Sequence, residues 1–432
     1  MFRFKSSFLF FITMKYRFLA QITLKSIYII SLCFFLVSCT DDHSLTLSLP
    51  EEQNVLTFPN YKTELIENQF IIVFNEDLIF FKIDLDDYEG TQALMRKEAV
   101  DFLKNYKIDP DGIDYVYSMA LTGFCARIEE DKIKEIITDP RVKYIEQDRK
   151  GMLGQGNNKS KVNKEEEEIE NTQRVPWGIS RVGGPFDYGG RHSVFVVDTG
   201  IDINHPDLNV DVKKGFDPYN RKKKDWNLND EHGHGTHVAG TIGALDNHFG
   251  VVGVASGVPL VPVKVFFGPS AAYTYSGMVA GIEHIGVRGK PGDVANLSFG
   301  GFDKSQVLDD AVLNVSNKRR VWMVMAAGNS KLPANAFSPA RVNGPYTITV
   351  SAFQLGDSYA PFSHYGPPIK YAAPGVGVLS TWPNNRYRNE SGTSMAAPHV
   401  SGLRVLGEID SDGFVLNYPN SNPDPIAFRK SN

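Results

Sequence analysis

Ser193–Asp198 (SVFVVD), running on into Thr199-Gly200-Ile201-Asp202, is the stretch on which the reading of the fold turns. It is a continuous apolar, largely β-branched run that ends in a carboxylate, the pattern of a buried strand. From Val175 onward, further buried strands alternate with helical segments, which predicts an α/β unit with a mostly parallel sheet. In open sheets of that kind ligands sit at the C-terminal strand ends. Asp198 belongs to that edge, where a buried carboxylate can hold a histidine in one tautomer. An aspartate that merely starts a turn is the plain alternative.

Two later stretches carry matching chemistry. In Asp230–Gly240 (DEHGHGTHVAG) small residues around His234 allow close backbone approach, and His237-Val238-Ala239 continues as a helix. A histidine that titrates near neutrality is a natural general base. His232, His234 and His237 also form H-x-H-x-x-H, a spacing used by zinc hydrolases. Those usually carry an aspartate just before the third histidine, where Thr236 stands here. Metal site, general base and structural loop all stay open on this stretch alone. In Glu390–Gly402 (ESGTSMAAPHVSG), Gly392-Thr393 allow a tight turn and Met395-Ala396-Ala397 start a helix, with Pro398 expected in its first turn. Ser394 then lies at a helix N-terminus, where N–H groups and the dipole favour developing negative charge. Taken singly it is also an ordinary N-cap serine.

Working outward, the 432 residues suit two or three units. With 42% hydrophobic and 22% charged residues the chain is not disordered throughout. The 45 basic and 50 acidic side chains leave −5, no surplus with which to grip a phosphate backbone, so nucleic acid is not an expected partner. Cys33, Cys39 and Cys125 cannot make a disulfide framework.

The N-terminus reads as a targeting segment. Lys15, Arg17 and Lys25 precede an uncharged run from Ser26 to Ser38, shorter than the about 20 residues of a comfortable membrane span and suited to a secretory signal. It ends in Leu36-Val37-Ser38-Cys39 and resembles a bacterial lipoprotein signal, which implies lipid on Cys39. A plain signal peptide is the alternative, and Met14 an alternative start. Residues 1–39 are thus read as signal and 40–65 as a polar tether. Residues 66–150 read as a small α+β unit of ferredoxin-like type. Its expected elements are a strand at Gln69–Asn75, a helix over Thr91–Tyr106 and strand material in Tyr115–Ile128. A helix over Glu129–Asp139, with Ile133, Ile136 and Ile137 inward, and a strand over Val142–Asp148 complete it. Residues 151–174 (from GMLGQGNNKSK to EEEEIENTQR) have little to bury and read as a protease-accessible linker. Residues 175–432 form the large unit.

Together the Asp, His and Ser stretches, in that order, resemble the subtilisin family of serine proteases over roughly residues 175–402. The resemblance implies a three-layer α/β fold with a mostly parallel central sheet. It implies Asp198 as orienter, His234 as base and Ser394 as nucleophile. Met323–Ser330 (MVMAAGNS) resembles the strand ending in the oxyanion-hole asparagine, here Asn329, and Asn296–Gly301 (NLSFGG) the strand that pairs with substrate backbone. Phe362–Thr381 matches a further stretch, of structural use. The zinc reading explains neither Asn329 nor Ser394. Ser298, Phe299, Gly300, Ala326, Ala327 and Gly328 would wall the main pocket, which holds no counter-ion for a basic residue. Broad cleavage after neutral or apolar residues is expected, with Tyr273 and Tyr275 adding an apolar subsite. No cofactor is expected for catalysis. Leu245–Val251 resembles the family's calcium loop, with side chains of Asp207 and Asn247 and backbone oxygens of Phe249 and Val251 as ligands. Leu121–Asp148 resembles the inhibitory propeptide, so self-maturation is implied. Expected partners are protein or peptide substrates and the chain's own propeptide, in an extracytoplasmic monomer, with the membrane reached only through lipid. Two departures stand out: Arg404, Gly407, Glu408 and Asp410 interrupt the helix after Gly402, and only 30 residues follow Gly402. A feeble or inactive homologue that acts as a surface binding protein is therefore the rival reading.

Overall fold

A computed structural model describes residues 63–84, 87–153, 172–220, 224, 226–300 and 303–429. The signal segment with Cys39, the tether up to residue 62 and residues 154–171 of the linker lie outside the described residues.

The first unit runs β1 (Glu64–Phe74), α1 (Tyr88–Asn105), β2 (Ile113–Tyr117), β3 (Gly123–Arg127), α2 (Glu130–Ile136) and β4 (Val142–Met152). The sheet order is β2-β3-β1-β4, antiparallel throughout. Alternation along β1 explains why its second half, Phe70–Phe74, is apolar at every position. Phe70, Ile72 and Phe74 join Met95, Ala99, Phe102 and Leu103 of α1 in the unit's own core. Ile71 and Val73 point the other way, into a core shared with the large unit. Ile136 is buried as expected, but Ile137 ends α2 and is 49% exposed.

The large unit continues with α3 (Trp177–Arg181), β5 (Phe186–Asp187), β6 (Val194–Asp198), α4 (His234–Gly243), β7 (Ala255–Ser256), β8 (Leu260–Lys264), β9 (Ala272–Thr274) and α5 (Tyr275–Arg288). Then come β10 (Val294–Leu297), α6 (Gln306–Arg319), β11 (Trp322–Ala326), β12 (Thr347–Gln354), β13 (Ser358–Tyr359), β14 (Ile369–Pro374), β15 (Val378–Trp382) and β16 (Arg386–Glu390). The chain closes with α7 (Thr393–Leu406), β17 (Asp410–Phe414) and β18 (Pro425–Phe428). The central sheet has the order β17-β18-β14-β12-β11-β10-β6-β8, parallel from β18 to β8. Its two faces carry separate cores, one under α5 and α6 and one under α4 and α7. This is the α/β architecture that the SVFVVD stretch predicts.

Beyond Gly402 the chain does not simply fray. Gly407 caps α7, Arg404 lies 4.2 Å over the Trp322 ring, and β18 adds a parallel strand beside β14. Gly151–Leu153 also depart from the linker reading. They extend β4 and pair antiparallel with β9, Gly151 opposite Tyr273, and the Leu153 N–H donates to the Ala271 carbonyl at 2.9 Å. Backbone pairing onto a sheet edge needs no apolar side chains, so composition gave no sign of it.

Three carboxylates fasten the small unit to the large one. Glu146 accepts from the Ser305 hydroxyl and the N–H groups of Gln306 and Val307, capping α6. Asp148 is fully buried and takes the Ser276 N–H and hydroxyl at the start of α5. Glu283 of α5 points back and receives the N–H groups of Ser118, Met119 and Ala120. Burial pushes Asp148 and Glu283 above the usual carboxylate range, and the donors around each work against it.

Candidate active site

Asp198 ends β6 with its carboxylate out of solvent and accepts the Thr199 N–H at 2.8 Å. α4 starts at His234, with Gly233 before it at φ 111°, a left-handed conformation that favours glycine. A side chain at Gly233 would also strike Trp382. The Asp230 carboxylate holds this corner together, accepting from the N–H groups of His232, Gly233 and Thr236 and the hydroxyls of Thr199 and Thr236. His234 Nδ1 therefore lies 2.8 and 3.0 Å from the two Asp198 oxygens. A carboxylate only accepts, so Nδ1 carries the proton and Nε2 is left as the basic nitrogen. Burial lowers the His234 pKa, but the charge and hydrogen bond of Asp198 outweigh it and leave the imidazole above the ordinary histidine range.

Ser394 is the second residue of α7 and half-buried. Its N–H is one of those that an α-helix leaves without an internal partner. Pro398 lies in the second turn, not the first, because the helix begins already at Thr393. A proline there cannot donate to the carbonyl four residues back, which is that of Ser394. The Ser298 hydroxyl fills the vacancy at 2.7 Å, and the Ser394 hydroxyl donates to the Ser298 carbonyl at 2.8 Å. This exchange ties the segment after β10 to the serine.

Asn329 turns its side-chain oxygen to the Thr393 N–H and hydroxyl, at 2.8 and 2.9 Å, so its amide N–H groups face the other way. A Cβ built on Gly392 would lie 3.5 Å from Asn329 Nδ2 and 3.6 Å from the Ser394 backbone nitrogen. Two donors thus converge on one space that a glycine leaves open, an arrangement that can receive an oxyanion. Substitution of Asn329 by alanine is expected to lower kcat by about 10²–10³-fold, a magnitude taken over from subtilisin itself, with little change in KM. Near wild-type turnover would remove Asn329 from that role.

The segments 298–300 and 326–328 approach closely, since a Cβ on Gly300 would meet the Ala326 carbonyl. Ser298, Ala326, Ala327 and Gly328 are buried beside α7, and the Gly328 N–H donates to the Thr393 hydroxyl. The Phe299 ring lies edge-on to Phe266 in the core that also contains Leu153. The three histidines do not converge. His237 Nε2 is engaged with the carbonyls of Val378 and Arg388, at 2.9 and 3.0 Å, and burial takes its pKa down to about 3. Among the described residues no cluster of three or more His, Cys, Asp or Glu is placed to hold a metal.

Of the residues expected to hold calcium, Asp207, Asn247 and Val251 lie together. Asp207 is fully buried, accepting from the Asn247 amide at 2.8 Å, the Val251 N–H at 3.1 Å and the Tyr387 hydroxyl at 3.2 Å. The amide of Gln173 stands among the Leu245 and Val251 carbonyls and Asn247 Oδ1, at 2.8, 3.4 and 3.4 Å. The Phe249 N–H donates to Asn247 Oδ1. The Asp207 carboxylate is met by N–H and O–H donors, while the oxygens of Leu245, Asn247 and Val251 gather around the Gln173 amide nitrogen; a carboxylate, side-chain amides and carbonyls are the hard donor types that Ca²⁺ takes. Gln173 and the Leu245 carbonyl are neighbours of this loop that the sequence reading did not name. Glu146, Asp148 and Glu283 were missed as well. Glu283 does carry a signal, a lone charge inside the otherwise apolar Gly281–Ile285 face.

A carboxylate, an imidazole and a serine at a helix start, beside two converging donors on a parallel sheet, define a hydrolase of the serine-nucleophile class. Residues 189–406 match the model of the Subtilase family, and residues 69–153 match that of Peptidase inhibitor I9. M-protease of Shouchella clausii is 38% identical over 284 residues, 65% of this chain and 67% of that one. Subtilisin Savinase of Lederbergia lenta is 43% identical over 239 residues, 54% of this chain and 84% of that one. Extracellular serine proteinase of a Thermus species is 31% identical over 379 residues, 84% of each chain. The chain belongs to the subtilase family: it is a serine endopeptidase that carries an I9-type inhibitor domain ahead of its catalytic unit.

Proposed function

We propose that Ser394 is the nucleophile, His234 the general base, Asp198 its orienting carboxylate, and Asn329 with the Ser394 N–H the oxyanion hole. The observation that carries this is the short Asp198–His234 contact, which fixes Nδ1–H and leaves Nε2 basic, at the end of β6, whose neighbour β10 leads into Ser298, the residue that the Ser394 hydroxyl bonds. His234 takes the Ser394 proton as the hydroxyl attacks a peptide carbonyl. The oxyanion that forms is received by the two converging donors, the leaving amine takes the proton from His234, and water hydrolyses the acyl-enzyme. In the described structure the serine hydroxyl is turned to the Ser298 carbonyl, so a rotation about its Cα–Cβ bond precedes attack. Labelling by an active-serine reagent, confined to Ser394, tests the assignment. An unlabelled, correctly folded protein would favour the surface-binding homologue.

The small, uncharged segments at 298–300 and 326–328 support cleavage after neutral or apolar residues in proteins or peptides. The β4 tail on β9 supports a precursor held inactive by its own inhibitor domain and matured by its own cut beyond Leu153. The targeting segment, and a relative described as extracellular, support an extracytoplasmic site of action. There Cys39 is the proposed lipid attachment point, and release of the Cys39→Ser protein from the membrane fraction is its test.

Calcium is proposed as a structural ion held by Asp207, Asn247, Gln173 and the carbonyls of Leu245, Phe249 and Val251, with no part in the chemistry. Burial raises the Asp207 pKa to about 6, so its charge costs stability as the pH rises through that value, and a cation would offset the cost. A chelator is expected to lower Tm by roughly 5–10 °C, corresponding to about 3 kcal/mol at a hundredfold excess of ion over Kd. The drop should be larger at pH 8 than at pH 5. An unchanged Tm at both would reject the site.

A further inference from the structure

The tail of the inhibitor domain pairs antiparallel with β9, each residue from Lys150 to Met152 opposite a defined partner, and one pairing is sterically exacting. Gly151 stands across from Tyr273. A Cβ built on Gly151 would lie 2.4 Å from the Tyr273 hydroxyl oxygen and 2.6 Å from Cζ, closer than side chains approach one another. Gly151 is not among the glycines with positive φ, so its backbone is one that any residue adopts. What excludes a side chain there is space.

The Tyr273 ring is held from its own side: it stacks on Tyr275 at 6.4 Å and 12° and meets the Phe266 ring edge-on at 5.4 Å and 88°, and with the tail in place it is buried. The neighbouring tail positions lack this constraint. Met152 points outward and is 62% exposed, while Leu153 is seated in the core that contains Ala271 and Phe299. The two tyrosines, expected from the sequence to build an apolar subsite, instead fill the place where one would open.

We propose that Tyr273 is a specificity-determining residue: it closes the β9 subsite, so that the protease accepts glycine, and little larger, at the substrate position seated opposite it. The proposal rests on the serine-protease reading and on substrates sharing β9 with the tail. In binding terms, a well-packed wall rejects added atoms because neither side can relax without losing its other contacts.

The test uses mature enzyme and synthetic peptides with the sequence of residues 147–158, with alanine, valine or phenylalanine at the Gly151 position and, separately, at the Met152 position. Replacing glycine by phenylalanine at the first position should lower kcat/KM by about tenfold or more, and the same change at the second should matter far less. Tyr273→Ala should raise the phenylalanine peptide relative to the glycine peptide by about the same factor. Equal cleavage of both peptides by the wild-type enzyme would overturn the proposal, and that series decides the matter even if the variant does not fold. So would an unchanged preference in a folded Tyr273→Ala enzyme. Absence of cleavage of every peptide, together with no labelling of Ser394, would instead overturn the protease reading itself.

Discussion

Replacing Ser394 by alanine is expected to abolish turnover and to leave the precursor uncut. Only a hydroxyl is lost, together with its bond to the Ser298 carbonyl, while the converse bond from the Ser298 hydroxyl to the Ser394 carbonyl stays available. Folding should therefore survive. The loss in kcat should be about 10⁶-fold, the value known for subtilisin itself. The wild-type chain of 48.1 kDa should mature to a species of roughly 28–31 kDa, at about 0.11 kDa for each of the roughly 260–280 residues beyond the cut. The Ser394→Ala chain should stay full length apart from signal removal. Electrophoresis and mass spectrometry in a host without other extracytoplasmic proteases read both outcomes. Normal processing of the variant would show that another enzyme makes the cut, and self-maturation would have to be abandoned.

The second large effect is expected at Asp198. Asparagine keeps the shape but removes the charge and can hold His234 in the wrong tautomer, at a cost of about 10⁴-fold in kcat. The pH profile separates this from general damage. A base must be neutral to accept a proton, and the wild-type imidazole titrates above the ordinary histidine range. Wild-type activity should therefore be lost as the pH falls through a midpoint above about 6.5. In Asp198→Asn the charge that raises His234 is gone and burial, which lowers it, remains. The midpoint of the residual activity should move to lower pH. A variant with the wild-type midpoint would show that Asp198 does not set the state of His234.

The inhibitor domain's grip follows from the same electrostatics. Glu146 and Asp148 stand two apart on β4, so they lie on one face and reach the starts of α6 and α5, where N–H groups lack internal partners. Glu283, from α5, reaches the other way and receives the N–H groups of the connection between β2 and β3. Carboxylates at helix starts join domains without apolar surface that would have to stay covered after separation.

Much of this was legible in the residues. SVFVVD read as a buried strand ending in an acid, and β6 is that strand, with Asp198 its last residue. The small residues of HGHGTH announced a place where backbone approaches backbone, and a Cβ built on Gly235 would meet the Gly200 carbonyl. The 3.6-residue spacing of Met95, Ala99, Phe102 and Leu103 fixed the inward face of α1. These features are local: period, size and chain direction act within a few residues.

What only the tertiary structure decided depends on partners far away in sequence. FIIVF (Phe70–Phe74) is apolar at every position because two different cores cover its two faces. Gly151–Leu153, read from composition as linker, is a paired strand, because a sheet edge supplies its hydrogen bonds whatever its side chains. Gln173 joins the Leu245–Val251 loop across more than 70 residues of chain. Phe299 and Tyr273 turn inward to fill space that the sequence reading left for substrate. In each case the deciding quantity was the position of a distant surface, and periodicity along the chain carries no information about that.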